Sequence, residues 1–251
     1  MAKYYLISMG YSIFVLVKSV IDDVRIDQRT REPSIVGAKH RMDDISRNAV
    51  EEAVRIKEKH GGRSVGITFG DDNASLIMKE ALAMGLDEGV IIRGYRESDP
   101  RITSQVISKK LSESKWDLVI MGYSSADSYT AQLPPRLARI LNRPLLGNTI
   151  RLELNAGIAR ATLDIEDFNA IVEGELPLVV SVAQEINTPR IPTLLQIMAA
   201  ARKPLKVETA ETKYPADFSV ISDLAPESAR KRAVFEDTTR GVDEISKVLK
   251  S

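Results

Sequence analysis

The first clear pattern along the chain is an uninterrupted apolar run, Ser12 to Lys18 (SIFVLVK), rich in β-branched residues. A strand buried on both faces needs such a run, because neither side meets water, so the run predicts the first strand of a parallel sheet. The apolar positions then change to helical spacing. Ile45, Ala49, Ala53 and Ile56 recur between Asp43 and Lys59, while Glu51, Glu52, Arg55 and Lys57 keep mostly to the other side. Asp43 or Asp44 is placed to cap that helix. SVGITF (Ser64 to Phe69) predicts the next strand, and ASLIMKEALAMG the next helix, capped by Asp71 or Asp72 and closed by Gly85. GVIIRG (Gly89 to Gly94), a helix from Ile102 to Leu111, and DLVIM (Asp117 to Met121) continue the alternation. Strand and helix in strict turn predict an α/β fold with an open, doubly wound, mostly parallel sheet.

After Ile150 the pattern changes. IRLELNAGIARATLDI reads as two strands around a turn at Asn155 to Gly157, an added β-hairpin, and LPLVVSV (Leu176 to Val182) as a further strand. The stretch 184–205, QEINTPRIPTLLQIMAAARKPL, sets a polar loop with Pro189 and Pro192 directly against Leu194 and Leu195. A buried helix does not need that preamble, whereas an exposed helix end that touches another protein would use it; on the residues alone, packing of Leu194 and Leu195 in the protein's own core is the favoured alternative. The helix itself spans Leu194 to Arg202, ahead of Pro204. From Lys206 to Arg232 the chain is polar, contains proline and lacks a clear period; a short helix follows near Val242 to Leu249. The economical division is a core domain of residues 1–205 and a C-terminal arm of residues 206–251. There is no internal repeat.

Composition narrows the functions available. The 251 residues suffice for a substantial core. The 35 basic and 35 acidic residues cancel, so no long-range field draws the protein to nucleic acid or to an anionic membrane. Cysteine is absent, which removes disulfides, thiolate metal sites and cysteine nucleophiles, and with only His40 and His60 no histidine-rich metal site is expected. The apolar stretch from Tyr4 to Val17 falls short of the roughly 20 residues of a membrane span and lacks a small-x-small cleavage site, so a buried strand with a short extension is expected. Met9 is an alternative start to Met1, and a cytoplasmic location is the default expectation.

In an open parallel sheet, ligands bind beyond the carboxyl ends of the strands, where strand order reverses. The loops to examine follow Lys18, Phe69, Ile92 and Met121. The last, GYSSADSYTAQLPPRLARIL, ends its strand at Gly122, offers the hydroxyls of Ser124, Ser125, Ser128 and Thr130, and places Pro134 or Pro135 in the first turn of a helix. Such a helix start is a phosphate cradle, or else the serines merely cap the helix. Gly122 to Ala126 blurs the nucleophile elbow G-x-S-x-G, but both histidines precede Ser124, which is the wrong order for a hydrolase triad. No G-x-G-x-x-G follows a strand, and no phosphate-loop lysine motif occurs. His40 is a candidate base but more naturally a structural histidine, and His60, beside Gly61 and Gly62, fits a helix C-terminus. No catalytic side chain is expected.

Taken together, VLVKSVIDDVRI, GAKHRMDDISRNAVEEAVRIKE, ALAMGLDEGV, the G…ADSYTAQ loop and INTPRIPTLLQIMAAARKP, in that order from about Val15 to Leu205, resemble the β subunit of electron transfer flavoproteins. The resemblance implies a Rossmann-like fold of the adenine-nucleotide α-hydrolase kind and a heterodimer with an α subunit that carries most of a flavin adenine dinucleotide (FAD) site. It also implies a second adenine nucleotide in this chain, AMP in many members and a second FAD in electron-bifurcating ones. Carried over by position, the nucleotide would be lined by Leu16, by Asp43, Asp44, Ile45 and Ser46, by Phe69, and by Gly122, Tyr123, Ser124, Ser125, Ala126, Asp127, Ser128, Thr130, Ala131, Gln132 and Leu133. Where the family usually has Asn-Pro this chain has Asp43-Asp44, and Phe69 stands where a smaller residue is usual. The segment Asn187 to Met198 matches a recognition loop whose leucine, here Leu194, anchors in a partner dehydrogenase; Asn187, Pro189, Arg190, Ile197 and Met198 complete the implied docking surface. Glu185, Thr188 and Ile191 depart from the common Arg, Glu and Tyr. The implied partners are the α subunit, an acyl-CoA or other dehydrogenase and a quinone oxidoreductase, with membrane contact only through a partner. The alternative is a free-standing regulatory protein of similar topology that binds an adenine nucleotide.

Overall fold

The computed structural model of the protein describes residues 10–71, 73–94, 99–210, 221–227 and 233–250. The elements in chain order are β1 (Tyr11–Leu16), β2 (Ser19–Ile21), β3 (Arg25–Ile26), β4 (Pro33–Ser34), β5 (His40–Met42), α1 (Asp44–His60), β6 (Gly62–Phe69), α2 (Ala74–Met84), β7 (Glu88–Arg93) and α3 (Pro100–Leu111). They continue with β8 (Leu118–Gly122), α4 (Leu133–Leu141), β9 (Leu145–Asn155), β10 (Ile158–Ile165), β11 (Phe168–Glu175), β12 (Leu178–Val182), a 3-10 turn (Gln184–Ile186), α5 (Leu194–Ala200), β13 (Leu205–Thr209) and α6 (Thr238–Leu249). Two compact units result: a main one that runs to Val24 and resumes at Ile35, and a small one of Arg25–Ser34 with the described residues from Ile221 on.

The main unit is built on a nine-stranded sheet of order β11-β10-β9-β12-β8-β1-β6-β7-β13. From β9 to β13 neighbouring strands are parallel, and β10 pairs antiparallel with both β9 and β11. A parallel ladder must be covered on both faces. Along β1 the alternation does this: Ile13 and Val15 join a core cluster with α1 and α2, whereas Phe14 and Leu16 join a second cluster with α3 and α4. The molecule is thus doubly wound as the apolar runs predict. β2 and β5 form a separate antiparallel pair. In the small unit, β3 and β4 pair around a turn in which the Asp27 carboxylate accepts the amides of Arg29 and Thr30, each at 2.8 Å. α6 presents Val242, Ile245, Val248 and Leu249 exposed.

Several boundaries differ from the sequence reading, each for a local reason. α3 begins at Pro100, before Ile102, because Asp99 accepts the Ile102 amide at 2.8 Å and Pro100 takes the first turn, where its missing N–H costs nothing. The residue before α2 is Asn73, whose side chain makes no cap; Asp71 instead accepts the Asn73 amide at 2.9 Å, and Asp72 lies outside the described residues. α5 ends at Ala200. β11 adds a third strand to the expected hairpin, and β13 lines up on β7 from Leu205↔Gly89 to Thr209↔Arg93. β13 is a half-exposed edge strand and therefore carries no apolar run for the eye to catch. The start of the expected strand extension, Tyr4 to Ser8, and both candidate start methionines lie outside the described residues. No helix among the described residues is long and apolar enough to cross a membrane.

Gly62, the first residue of β6, has φ +112°, and a Cβ there would run into the backbone oxygen of Tyr11 on the neighbouring strand. We expect Gly62→Ala to destabilise the fold by at least about 1–3 kcal/mol, from the backbone strain alone. The midpoint of urea unfolding checks this, and an unchanged midpoint contradicts it.

Candidate functional site

The chain moves from β1 through α1 to β6 and through α2 to β7 on one side, then returns through α3 to β8 on the other side of β1. Strand order therefore reverses between β1 and β8, and their carboxyl ends, Leu16 and Gly122, open the crevice where such sheets bind ligands.

Asp43 organises this crevice. It is 1% exposed. One carboxylate oxygen accepts the Ser46 amide at 3.1 Å and so caps α1, while the other accepts the amide of Ala126, in the loop after β8, at 2.9 Å. The Asp43 amide donates to the Lys18 carbonyl at 3.0 Å, and the Ser46 hydroxyl accepts the Lys18 amide at 3.2 Å. The end of β1, the start of α1 and the loop after β8 are thus fastened through one buried side chain. Of the two candidate caps, Asp43 is the one that acts. Asp44 starts the helix proper and pairs instead with Arg41 at 2.8 Å and Arg47 at 3.3 Å.

Across the crevice the Lys18 ammonium donates to Ser125 Oγ at 2.9 Å and to Asp127 at 2.7 Å, and the Ser125 hydroxyl also donates to Asp127 at 2.7 Å. Ser128 Oγ stands 3.1 Å from Ser125 Oγ. Burial by itself would raise the Asp127 carboxyl, but the hydrogen bonds from Lys18 and Ser125 and the Lys18 charge prevail and hold it below the ordinary aspartate value. Lys18 was not among the residues singled out from the sequence. Its signal was there, a lysine closing a buried apolar strand at the carboxyl edge of the sheet.

The loop itself is shaped for close approach. A Cβ on Gly122 would meet Ile45 at 3.0 Å and the Ser124 carbonyl at 3.1 Å. Tyr129 (φ 48°) and Ala131 (φ 51°) are left-handed without being glycine, a conformation that persists where surroundings enforce it and that gathers backbone N–H groups into anion-binding concavities. The Ser124 hydroxyl is buried and has no hydrogen-bond partner among the described residues. Gln132 precedes α4, but its side chain does not cap the helix and instead accepts from Arg136 Nε at 3.1 Å. Leu133 and, on β6, Phe69 pack on the core cluster that contains Leu16. Tyr123 ties the strand end to β12 through its amide and the Val182 carbonyl at 3.0 Å, and Thr130 is exposed. An orphaned buried hydroxyl, a side-chain-free strand end, a lysine and left-handed backbone before a helix form a donor set that fits a phosphate-bearing nucleotide.

His40 lies in β5, not in a loop, with Ser19 Oγ 3.2 Å from Nδ1 and Asn73 Nδ2 3.2 Å from Nε2, a structural placement. His60 ends α1 and meets Tyr11 edge-on at 5.5 Å.

The second group of sequence candidates lies elsewhere in the main unit. Ile191, Leu194, Leu195, Ile197 and Met198 are exposed, Ile191 at 92% and Leu194 at 72%. Thr193 and Gln196 form a capping box at the start of α5. Asn187 and Arg190 do not join that outward face. Asn187 donates to the Asn48 carbonyl and to Glu52, each at 3.0 Å, and Arg190 bonds Glu51 and Glu58. Pro189 lies between these anchored residues in sequence.

Fold and site together define a doubly wound α/β protein with a polar crevice at its switch point and an apolar helix face held outside it. The electron transfer flavoprotein domain family matches residues 35–213. The electron transfer flavoprotein subunit beta of Bacillus subtilis is 35% identical over 199 residues, covering 78% of this chain and 77% of that protein. The subunit beta of Thermoanaerobacterium thermosaccharolyticum is 33% identical, covering 80% and 79%, and that of Dictyostelium discoideum 27% identical, covering 81% and 83%. The chain belongs to the electron transfer flavoprotein family and, within it, is similar to the β subunits.

Removing the Asp43 carboxylate unpairs two amides at once. We expect Asp43→Ala to cost about 2–3 kcal/mol, roughly 1 for the helix cap and the rest for the loop bond, measured by urea unfolding. The Asp127 carboxyl titrates lower in the folded chain than in the unfolded one, so its stabilising contribution is present above the ordinary aspartate value of 3.8 and is lost as pH falls through the folded value. Asp127→Asn is therefore expected to be less stable than the parent near neutral pH, with the difference shrinking in acid. A difference that grows in acid contradicts this.

Proposed function

We propose that the chain is the β subunit of a heterodimeric electron transfer flavoprotein and that its switch-point crevice holds an adenine nucleotide. The observation that carries this reading is the buried Ser124 hydroxyl in the Asp43-anchored loop, which has no partner among the described residues and stands where the topology favours a ligand. The phosphate would lie against Ser124 to Ser128 and the following loop to Leu133, with Lys18 at hand for its charge and Leu16 and Phe69 as apolar neighbours. A bound flavin supplies electron-accepting chemistry, whereas AMP supplies none. The side chains bind and orient the nucleotide and are not themselves catalytic.

The chain then completes the flavin site of the α subunit, and the face of Leu194, Ile197 and Met198 docks dehydrogenase or quinone-reductase partners. The exposed stripe of Val242, Ile245 and Leu249 on α6, spaced i, i+3, i+7, is the part of the C-terminal arm that would lie on the α subunit. A cytoplasmic complex is the default reading.

Co-expression with the α subunit, denaturation and chromatography of the released nucleotides test the reading. One AMP and one FAD per heterodimer indicate a single-flavin carrier, two FAD indicate a bifurcating one, and one FAD with nothing else overturns the crevice assignment. For docking, full burial of a leucine is worth about 1.5–3 kcal/mol, so Leu194→Ala is expected to weaken electron exchange with a partner dehydrogenase about tenfold or more while flavin content stays intact. Equal rates for variant and parent refute the anchor.

A further inference from the structure

Between the 3-10 turn and α5, residues 187–193 form no ladder and no helix, yet they carry the exposed Ile191 and lead into the exposed Leu194 and Leu195. What fixes their path is a row of polar side chains on α1. Asn48, Glu51, Glu52, Arg55 and Glu58 recur at helical spacing and share one face. Amphipathicity assigns that face to water, but Glu51 is 3% and Glu52 8% exposed.

Every member of the row engages the segment. Asn48 Nδ2 donates to the Gln184 carbonyl at 3.0 Å and the Asn187 carbonyl at 2.8 Å, and Asn187 Nδ2 returns a bond to the Asn48 carbonyl at 3.0 Å and to Glu52 at 3.0 Å. Arg55 donates to the Thr188 carbonyl at 3.3 Å and to Glu51 at 2.7 Å. Glu51 accepts the Arg190 amide at 3.1 Å and its Nε at 2.8 Å, and Glu58 closes the guanidinium from the other side at 2.6 and 2.9 Å. Main chain as well as side chain is therefore registered on the helix at Arg190, one residue before Ile191.

We propose that this row is the positioning element of the docking segment, with the Glu51–Arg190–Glu58 clamp at its centre. The inference rests on the docking reading given above. None of the clamp residues needs to touch the partner. A segment with two prolines and no ladder of its own would have to be ordered on each encounter; the clamp orders it beforehand, so the cost leaves the binding step. The planar guanidinium is suited to this because its several N–H groups, fixed in one plane, donate to Glu51 and Glu58 in a set geometry, whereas a lysine offers a single nitrogen on a flexible stem.

The test uses the holo heterodimer and four forms of this chain: the parent, Arg190→Lys, Glu58→Gln and Leu194→Ala. Hydrogen–deuterium exchange of residues 185–193 reads the order of the segment, and a butyryl-CoA-reduced acyl-CoA dehydrogenase is the docking probe. For Arg190→Lys we expect exchange in that segment, and the half-saturating dehydrogenase concentration, each to rise about tenfold, with the rate at saturation and the nucleotide content kept. Glu58→Gln, at an exposed carboxylate, moves both in the same direction by less and guards against misfolding of the first variant. Leu194→Ala raises the half-saturating concentration without loosening the segment. Unchanged exchange in Arg190→Lys overturns the clamp, and faster exchange with unchanged half-saturation overturns its role in docking. If Leu194→Ala also leaves half-saturation unchanged, the docking reading itself falls, and this inference with it.

Discussion

A parallel sheet whose strands are buried on both faces constrains everything else in the main unit. Such strands cannot be joined by hairpins, so each connection must cross over, and the crossovers must bury an apolar stripe on one face or the other. The reversal between β1 and β8 divides those stripes, α1 and α2 against one face and α3 and α4 against the other. The same reversal leaves two strand ends diverging, with polar loops free to meet above them. The site is thus a consequence of how the sheet is covered.

Within that frame a few buried polar groups do what apolar packing cannot. Apolar contact is non-directional and tolerates small slides, whereas a buried carboxylate must find its donors or be expelled. Asp43 finds them on two different elements, and Glu51 finds them on a segment 139 residues further along the chain. Both lie on or beside α1, which therefore carries the crevice at its start and the docking segment along its flank. The Lys18–Asp127 pair belongs to another category: with both side chains about 40% exposed, it fixes geometry and charge at the crevice and contributes little to stability.

Much of this was legible in the sequence. SIFVLVK, SVGITF and DLVIM announced buried strands because a short continuous apolar run between polar neighbours suits a strand covered on both faces and little else. The loop after Met121 declared itself by the hydroxyls and prolines that follow a strand end. The outward face of Leu194 and its neighbours was legible only through the family resemblance, since two adjacent leucines at a helix start ordinarily pack in a protein's own core. β13 was not legible, since an edge strand exposed on one side has neither a run nor a strong alternation. Nor was the burial of Glu51 and Glu52, since charges on the polar side of an amphipathic helix ordinarily face water.

The sequence by itself determined the alternation of buried strands and helices from β1 through β8, the doubly wound class and the loops from which a site had to be built, because those follow from periodicity and turn chemistry, which are local. The tertiary structure alone decided which of Asp43 and Asp44 turns inward, that Lys18 reaches Asp127, that Ser124 is left without a partner among the described residues and that Arg190 faces α1 instead of solvent. Each of these depends on residues far apart in the chain arriving at hydrogen-bond distance, and no local pattern encodes that distance.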